Sequence, residues 1–403
     1  MNRDTSYLSG IRAFAAFWVV TAHCFIWGGS WLEMSVPAPK IAVDLFMVLS
    51  GLLMAYTVQA RESTEPMSRP ANWLRFYVRR YFRLAPAYYL CLFLVVALAP
   101  LYLGGYTHLR ELNPTLWQGS WIYDPERTNY TIGNLLLHIT FLFGLFPTYS
   151  FSTLLPDWSL SLEMQFYVVF PFIYLAMKRF GTGRTAVFLA LLSYAFIWGF
   201  NQAVAVGKAH FFLEPSMLLF KLPLFLTRIL IYHAASTSTT SSWQRATYVL
   251  LALLMCAKLE DTYHSQVIFL VVPVALMAVL TVPYRPIARH LIILERVCRS
   301  RIVTLMSDVS SSVYLFQDLF LAIAVSQIGM AAKSSGWPLV AGTLAIWLAV
   351  ITLTYPFSYL VFRFVELPGI SPGKAIIARF KPANNVEDFE VTVQAALKKD
   401  MSK

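Results

Sequence analysis

The fold is decided by residues 41–60, which read IAVDLFMVLSGLLMAYTVQA. A helix needs about 20 mostly apolar residues to cross a bilayer, and this run has that length with Asp44 as its one charged residue. Of all 403 residues, 58% are hydrophobic and only 13% are charged, about half the charged share of soluble proteins. Because a soluble domain could not bury that much apolar surface, the sequence predicts an integral membrane protein.

Ten apolar runs are candidate spans and predict an all-α, polytopic membrane helix bundle. They cover roughly residues 10–28, 41–60, 84–103, 158–177, 185–204, 214–233, 246–258, 265–283, 308–331 and 338–362. The shorter run 132–147 contains Pro147. If it does not cross, most Lys and Arg residues fall on one side of the membrane, as the positive-inside rule requires. We therefore expect 132–147 to be a re-entrant or surface-lying helix.

The same charge pattern predicts that both termini are cytoplasmic. We expect the protein to lie in the cytoplasmic (inner) membrane. Residues 1–382 form the predicted membrane domain and 383–403 a polar cytoplasmic tail. Positive-inside bias also accounts for the net charge of +11, so we expect membrane lipid and no nucleic acid as a partner. The four cysteines are scattered without metal-ligand spacing, which indicates neither a disulfide framework nor a metal site.

Ionisable side chains inside spans are costly and are candidates for function. Arg12 and His23 lie in the first span, and eleven residues at about 100° each put them on one helix face about 16 Å apart. Asp44 opens the second span, where it is either a partner that orients His23 or a helix N-cap. The alternative for His23 itself is a hydrogen-bonded structural histidine.

A polar stripe is predicted on the span at 158–177, where Ser159, Glu163 and Tyr167 follow one another at i, i+4 spacing. It indicates a polar cavity rather than lipid contact. At the predicted inner face, Arg80 and Arg83 are i, i+3 neighbours. Positive-inside bias explains arginines there, but a pair that points one way is also suited to phosphate groups.

These segments together resemble the acyltransferase-3 family of integral membrane O-acyltransferases, in its stand-alone form. Residues 7–13 with His23 are similar to the family's "L-D-G-L-R-A" opening and its Arg–His pair. Residues 43–51 are similar to the family's "V-D-L-F-F-V-L-S-G" and residues 80–86 to its "R-x-x-R-x-x-P". Residues 158–167 are similar to "W-S-L-S-V-E-E-Q-F-Y" and residues 310–315 to "S-Y-S-L-Y-L". Glu366-Leu367-Pro368 is similar to the closing "E-x-P".

The chain departs from the family pattern at three positions. Ser9 stands where the family usually has Asp, Met164 replaces the second Glu, and Gln317 occupies the place of a common His. The third departure leaves His23 as the better candidate base.

The resemblance implies transfer of an acyl group, usually acetyl, from cytoplasmic acyl-CoA to a hydroxyl of a surface glycan or lipid-linked sugar. Acyl-CoA would be a co-substrate, with no permanently bound cofactor. His23, oriented by Asp44, would be the general base. Arg80 and Arg83 would hold the CoA phosphates and Arg12 would guide the donor. Glu163 completes the expected catalytic set, with three hydroxyl side chains on the acceptor side, namely Ser159, Tyr167 and Tyr314.

The alternative from another class is a transporter or flippase with a polar central cavity, which would use buried Arg, His and Glu equally well. Inverted repeats and helices broken in both halves would indicate that class, and none are visible in the sequence. Cys24 as a covalent acyl carrier is disfavoured, because it projects about 100° away from His23 on the helix.

Overall fold

The computed structural model describes residues 6–114, 128, 130–235, 241–257, 268–281 and 296–379. Within these ranges the regular structure is helical, without a strand. The all-α fold class is therefore confirmed. The predicted tail, 383–403, lies outside the described residues.

The described residues of the first half of the chain form seven α-helices. They are α1 (Ser6–Gly28), α2 (Pro39–Arg61), α3 (Ala71–Ala97), α4 (Ala99–Leu112), α5 (Ile132–Ile139), α6 (Trp158–Phe180) and α7 (Thr182–Ala205). The second half contributes α8 (Leu218–Ala235), α9 (Ser242–Ala257), α10 (Ile268–Thr281), α11 (Arg301–Asp308), α12 (Ser310–Ala324), α13 (Met330–Ser334), α14 (Leu339–Val361) and α15 (Leu367–Arg379). One π-helical turn, Val325–Gly329, joins α12 to α13, and another, Phe362–Glu366, joins α14 to α15.

Seven helical stretches among the described residues are long and apolar enough to cross a membrane. They are Ser9–Gly28, Trp31–Arg61, Ala71–Ala97, Trp158–Phe180, Thr182–Ala205, Ser310–Ser334 and Leu339–Arg379. The other three predicted spans coincide with the helices α8, α9 and α10. The structure thus confirms a membrane helix bundle, with seven rather than ten stretches that meet this criterion.

The run 132–147 does not form a spanning helix. Its helical part, α5, ends after 8 residues and is followed by two 3₁₀ turns, Phe143–Leu145 and Pro147–Tyr149. Eight residues of α-helix extend only about 12 Å, well short of the roughly 30 Å hydrocarbon core. The prediction that this run fails to cross is confirmed, and its helix is shorter than predicted.

Glycine residues allow neighbouring helices of the bundle to approach each other closely. A Cβ on Gly51 of α2 would lie 2.5 Å from the Phe225 carbonyl oxygen on α8. A Cβ on Gly369 of α15 would lie 2.5 Å from Pro86 of α3. The second contact packs the last described helix against the arginine-bearing part of α3.

Candidate functional site

A polar cavity opens between α1, α2, α3, α6 and α12, with a volume of about 850 Å³ including its open mouth. Seven of the nine predicted site residues line it: Arg12, Arg80, Arg83, Ser159, Glu163, Tyr167 and Tyr314. They come from four helices that are far apart in sequence. The structure therefore brings together side chains that the sequence could only place on separate helix faces, although their chemical roles stay predictions.

Arg12 enters the cavity from α1 and is held at the start of α12. Its Nη2 donates to Ser310 Oγ at 3.1 Å and to Ser311 Oγ at 3.4 Å. Ser310 in turn donates to the Ser307 carbonyl oxygen at 2.7 Å. This chain of contacts fixes the guanidinium head, so that Arg12 is part of the cavity wall rather than a side chain that extends towards the membrane surface.

Arg80 is held more firmly than positive-inside bias alone requires. It donates to the Thr57 hydroxyl on α2. Its guanidinium carbon lies 5.7 Å from the Phe76 ring centroid and 5.5 Å from that of Tyr167, within the range of cation–π attraction. With Arg83 one turn further along α3, it presents two cations to the same space.

Glu163 is the carboxylate on the opposite wall. Its Oε1 accepts from Ser50 Oγ at 2.9 Å and from the Tyr167 hydroxyl, its i+4 neighbour on α6. One turn before it, Ser159 Oγ donates to the Tyr314 hydroxyl at 3.0 Å. The predicted stripe on α6 therefore carries two hydrogen-bonded groups, Ser159 with Tyr314 and Glu163 with Ser50 and Tyr167.

Glu366 is a second cavity carboxylate that the sequence analysis left out of its site. It lines the cavity from the π-helical turn Phe362–Glu366 and accepts from the Ser312 hydroxyl. Turns of this kind often occur at functional sites. Its signal was the "E-x-P" segment, but no spacing argument could link that segment to the cavity helices, which all lie earlier in the chain.

His23 lies on α1 beyond the cavity lining, about 16 Å along the helix from Arg12. The side chain beside it is Gln317 of α12. Ser310, Tyr314 and Gln317 follow at i, i+4 and i+7 and so share one face of α12. This face leads from the cavity, which Ser310 and Tyr314 line, to Gln317 beside the imidazole.

Asp44 has a buried lysine as a partner. Its Oδ2 lies 2.9 Å from Lys221 Nζ of α8, and the side chains are 0% and 9% exposed. This ion pair joins α2 to α8, and the orientation of His23 by Asp44 stays a prediction. The alternative reading of Asp44 as an N-cap is wrong, because α2 begins at Pro39 and Asp44 lies in its second turn. No spacing or motif predicts that Lys221 lies beside Asp44.

A second groove, with a volume of about 1370 Å³ including open space, adjoins the cavity. Arg80 and Arg83 line both of them. The groove adds Arg61, Arg79 and Lys374 from α2, α3 and α15, and Glu65 pairs with Arg79 at its edge. The surplus of cations makes this groove suited to a polyanion such as a diphosphate.

Comparisons with known proteins agree with the motifs. The profile of the acyltransferase-3 family, described as an acyltransferase domain, matches residues 5–363. BcsY of Komagataeibacter xylinus, named a membrane-bound transacylase, is 28% identical over 213 residues, which is 49% of this chain and 45% of that protein. YrhL of Bacillus subtilis, named a peptidoglycan O-acetyltransferase, is 29% identical over 168 residues, 41% of this chain and 23% of that protein.

The chain thus spans less than half the length of these relatives. No solved structure matches it.

Proposed function

Because the chain belongs to the acyltransferase-3 family, matched over residues 5–363, we propose that it is a membrane O-acyltransferase. It moves an acyl group, in the simplest case acetyl, from acyl-CoA to a hydroxyl of a surface glycan or lipid-linked sugar. The observation that carries this proposal is that the groove and the cavity adjoin. A cation-rich groove leads, through Arg80 and Arg83, into a cavity that holds two carboxylates, Glu163 and Glu366.

The donor side of the proposal rests on charge. CoA carries a diphosphate and a further phosphate, and guanidinium groups bind such oxygens through directed, charge-assisted hydrogen bonds. Arg80 and Arg83 would hold the phosphates where groove and cavity meet, with Arg12 further in to guide the pantetheine arm. We place this groove at the cytoplasmic face, with both termini on that side, as the Lys and Arg distribution predicts.

The acceptor side rests on the hydroxyl-rich wall. Ser159, Tyr167 and Tyr314 offer donors and acceptors of the kind that hydrogen-bond a sugar, and the two carboxylates can accept from its hydroxyl groups. In the transfer step, the acceptor oxygen attacks the thioester carbonyl carbon and the C–S bond breaks. The acceptor's proton passes to His23 along the face of α12 that carries Tyr314 and Gln317, and from there to the leaving CoA sulfur, so the products are an ester and CoA thiol.

The test measures thiol release and ester formation by the full-length protein in proteoliposomes, with labelled acetyl-CoA and extracted cell-envelope glycans. Arg80→Ala and Arg83→Ala should each raise the donor KM about 10-fold or more, since a hydrogen bond to a charged group is worth about 1.5–3 kcal/mol. The matched control is Arg184→Ala, an exposed arginine at the start of α7.

His23→Ala should lower kcat by about 10²–10⁴-fold, the usual contribution of general acid–base catalysis. Full transfer by this variant at normal expression would refute the assignment of the base. Movement of glycolipid across the vesicle membrane without any release of CoA would instead refute the proposed acyltransferase activity and indicate a transporter or flippase.

A further inference from the structure

A buried polar cluster lies outside the cavity, at the entry to α6. His138 of α5 and Asp157, the residue before α6, are both fully buried, and His138 Nε2 lies 3.6 Å from Asp157 Oδ2. The hydroxyl of Tyr88, on α3, donates to the same oxygen at 3.0 Å. The His138 ring stacks on Phe143 with ring centroids 4.1 Å apart. Nothing in the proposed transfer step uses these groups.

The hydrogen bonds of this cluster show how many protons it holds. His138 Nδ1 lies 3.0 Å from the Asn134 carbonyl oxygen, and since a carbonyl only accepts, Nδ1 must carry a proton. In a neutral imidazole, Nε2 then has a bare lone pair that faces the Asp157 carboxyl oxygen. Two such acceptors repel each other in a buried site. One further proton, on Nε2 or on Asp157, removes the conflict.

The cluster is attached to the cavity wall. The Tyr314 hydroxyl donates to the carbonyl oxygen of Pro156, the neighbour of Asp157. The carbonyl of Asp157 accepts the first backbone hydrogen bond of α6, from Leu160 N at 2.9 Å. Ser159 follows two residues after Asp157. The pair therefore connects α3, α6 and α12, three of the helices that form the cavity.

The backbone around the pair also needs support. Phe141 and Leu154 have positive φ angles of 60° and 62°, a left-handed conformation that costs a residue with a side chain roughly 1–2 kcal/mol. Such conformations persist only where the surroundings over-determine them. Asp157 supplies part of this support, since Thr153 donates to it at 3.5 Å. Ser161 supplies another part, since its hydroxyl donates to the Phe141 carbonyl oxygen at 2.9 Å.

We propose that His138 and Asp157 share one proton and act together as positioning residues, which fix the start of α6 and thereby place Ser159 and Tyr314 at the end of the cavity. For its effect on transfer, this inference rests on the proposed function. The other titratable groups near Asp157 are Tyr88 and Cys91 on α3 and Tyr314 on α12.

Electrostatics places the shared proton on the carboxyl group. Burial raises the pKa of Asp157 to about 7, whereas burial lowers the pKa of His138 to about 4. Near pH 6 the folded protein then contains a carboxylic acid beside a neutral imidazole. As the pH rises through about 7, the proton leaves and the repulsion between Nε2 and Oδ2 appears.

The first experiment compares Asp157→Asn with Asp157→Ala. In Asp157→Asn, the amide nitrogen in the place of Oδ2 offers one N–H to His138 Nε2 and the other to the Tyr88 hydroxyl, which then accepts, so the repulsion is removed without a titratable proton. We expect transfer by the wild type to decline above pH 7, and Asp157→Asn to keep transfer within about twofold at pH 6 and to lack that decline. Asp157→Ala should lower transfer about 10- to 100-fold through misplacement of the cavity wall, with the donor KM unchanged. Equal transfer rates and pH profiles in all three proteins would refute the positioning role.

A second measurement is independent of acyl transfer: the melting temperature of each purified protein from pH 4.5 to 6.5. In this range folded and unfolded wild type each hold one proton on the pair, so the pair adds no pH dependence. In Asp157→Asn, the remaining His138 is neutral when folded and charged when unfolded, so stability relative to wild type should rise with pH. In His138→Gln, the remaining Asp157 is protonated only when folded, so relative stability should fall with pH.

Tyr89→Phe is the control, because its hydroxyl contacts the Ile139 carbonyl oxygen beside the pair without touching Asp157. Opposite slopes for the two variants, with a flat control, would support proton sharing even if no acyl transfer were found. Parallel slopes in all variants would overturn it even if the protein proved to be an active transferase.

Discussion

Replacing Lys221 by methionine should destabilise the bundle strongly, because it leaves the buried Asp44 carboxylate without its cation. The two charged atoms lie 2.9 Å apart with the carboxylate fully buried. At an effective dielectric constant of about 20 their attraction is about 6 kcal/mol. Desolvation offsets much of this, and removal of one partner from a buried pair typically costs about 3–5 kcal/mol. We expect a loss of that size for Lys221→Met.

The informative comparison is the double variant Asp44→Asn/Lys221→Met. Because an uncharged pair needs no compensation, it should recover most of the stability that the single variant loses. Denaturant titration of the four proteins in detergent gives the coupling energy through a double-mutant cycle. We expect about 3 kcal/mol. A coupling below about 0.5 kcal/mol, the level of independent sites, would refute the ion pair.

The same four proteins separate the two roles considered for Asp44. If its main role is to pair with Lys221, the double variant should regain acyl transfer together with stability. If Asp44 is instead needed to orient His23, the double variant should be stable but slow, with kcat reduced and the donor KM unchanged.

Three further outcomes are expected. Glu366→Gln should lower kcat/KM about 10- to 100-fold at unchanged stability. This carboxylate lies within electrostatic reach of Arg12 and Arg83, and hydrogen bonds to charged groups are worth about 1.5–3 kcal/mol. Unchanged steady-state rates would exclude a role for Glu366 in acyl transfer. Lys374→Ala, at the exposed end of the groove, should raise the donor KM no more than about fivefold, as surface charges do, and the effect should fade at high salt. Gly51→Ala should cost about 1–3 kcal/mol in denaturant titration, because the new Cβ would lie 2.5 Å from the α8 backbone, and wild-type stability would contradict that close approach.

The lengths of the apolar runs predicted the helices well, but they misplaced the first residue of α3. The expected span 84–103 corresponds to a helix that begins at Ala71 and ends at Ala97. The reason is physical: residues 75–83 are rich in arginine and carry no hydropathy signal, yet arginine is a good helix former. The helix therefore continues past the apolar part, and this extension carries Arg80 and Arg83.

The candidate site was predictable where its residues share a helix and less so where they meet across helices. The i, i+4 stripe on α6 needed only helical geometry. The Asp44–Lys221 pair and the Ser312–Glu366 contact join residues 177 and 54 positions apart. Such pairings depend on which helices are neighbours, and one sequence without its relatives contains no information on that.

The packing of α15 against α3 has a consequence for the order in which the protein is made. The groove wall contains Gly373, Lys374 and Ile377, whereas the arginines that it faces are synthesised almost three hundred residues earlier. During translation, all cavity helices up to α12 can be in place while the groove that leads to the cavity still lacks the wall formed by α15. A nascent chain that stops at Glu366 would carry the cavity residues without the wall that α15 supplies, so completion of the entrance is tied to completion of the chain through residue 379.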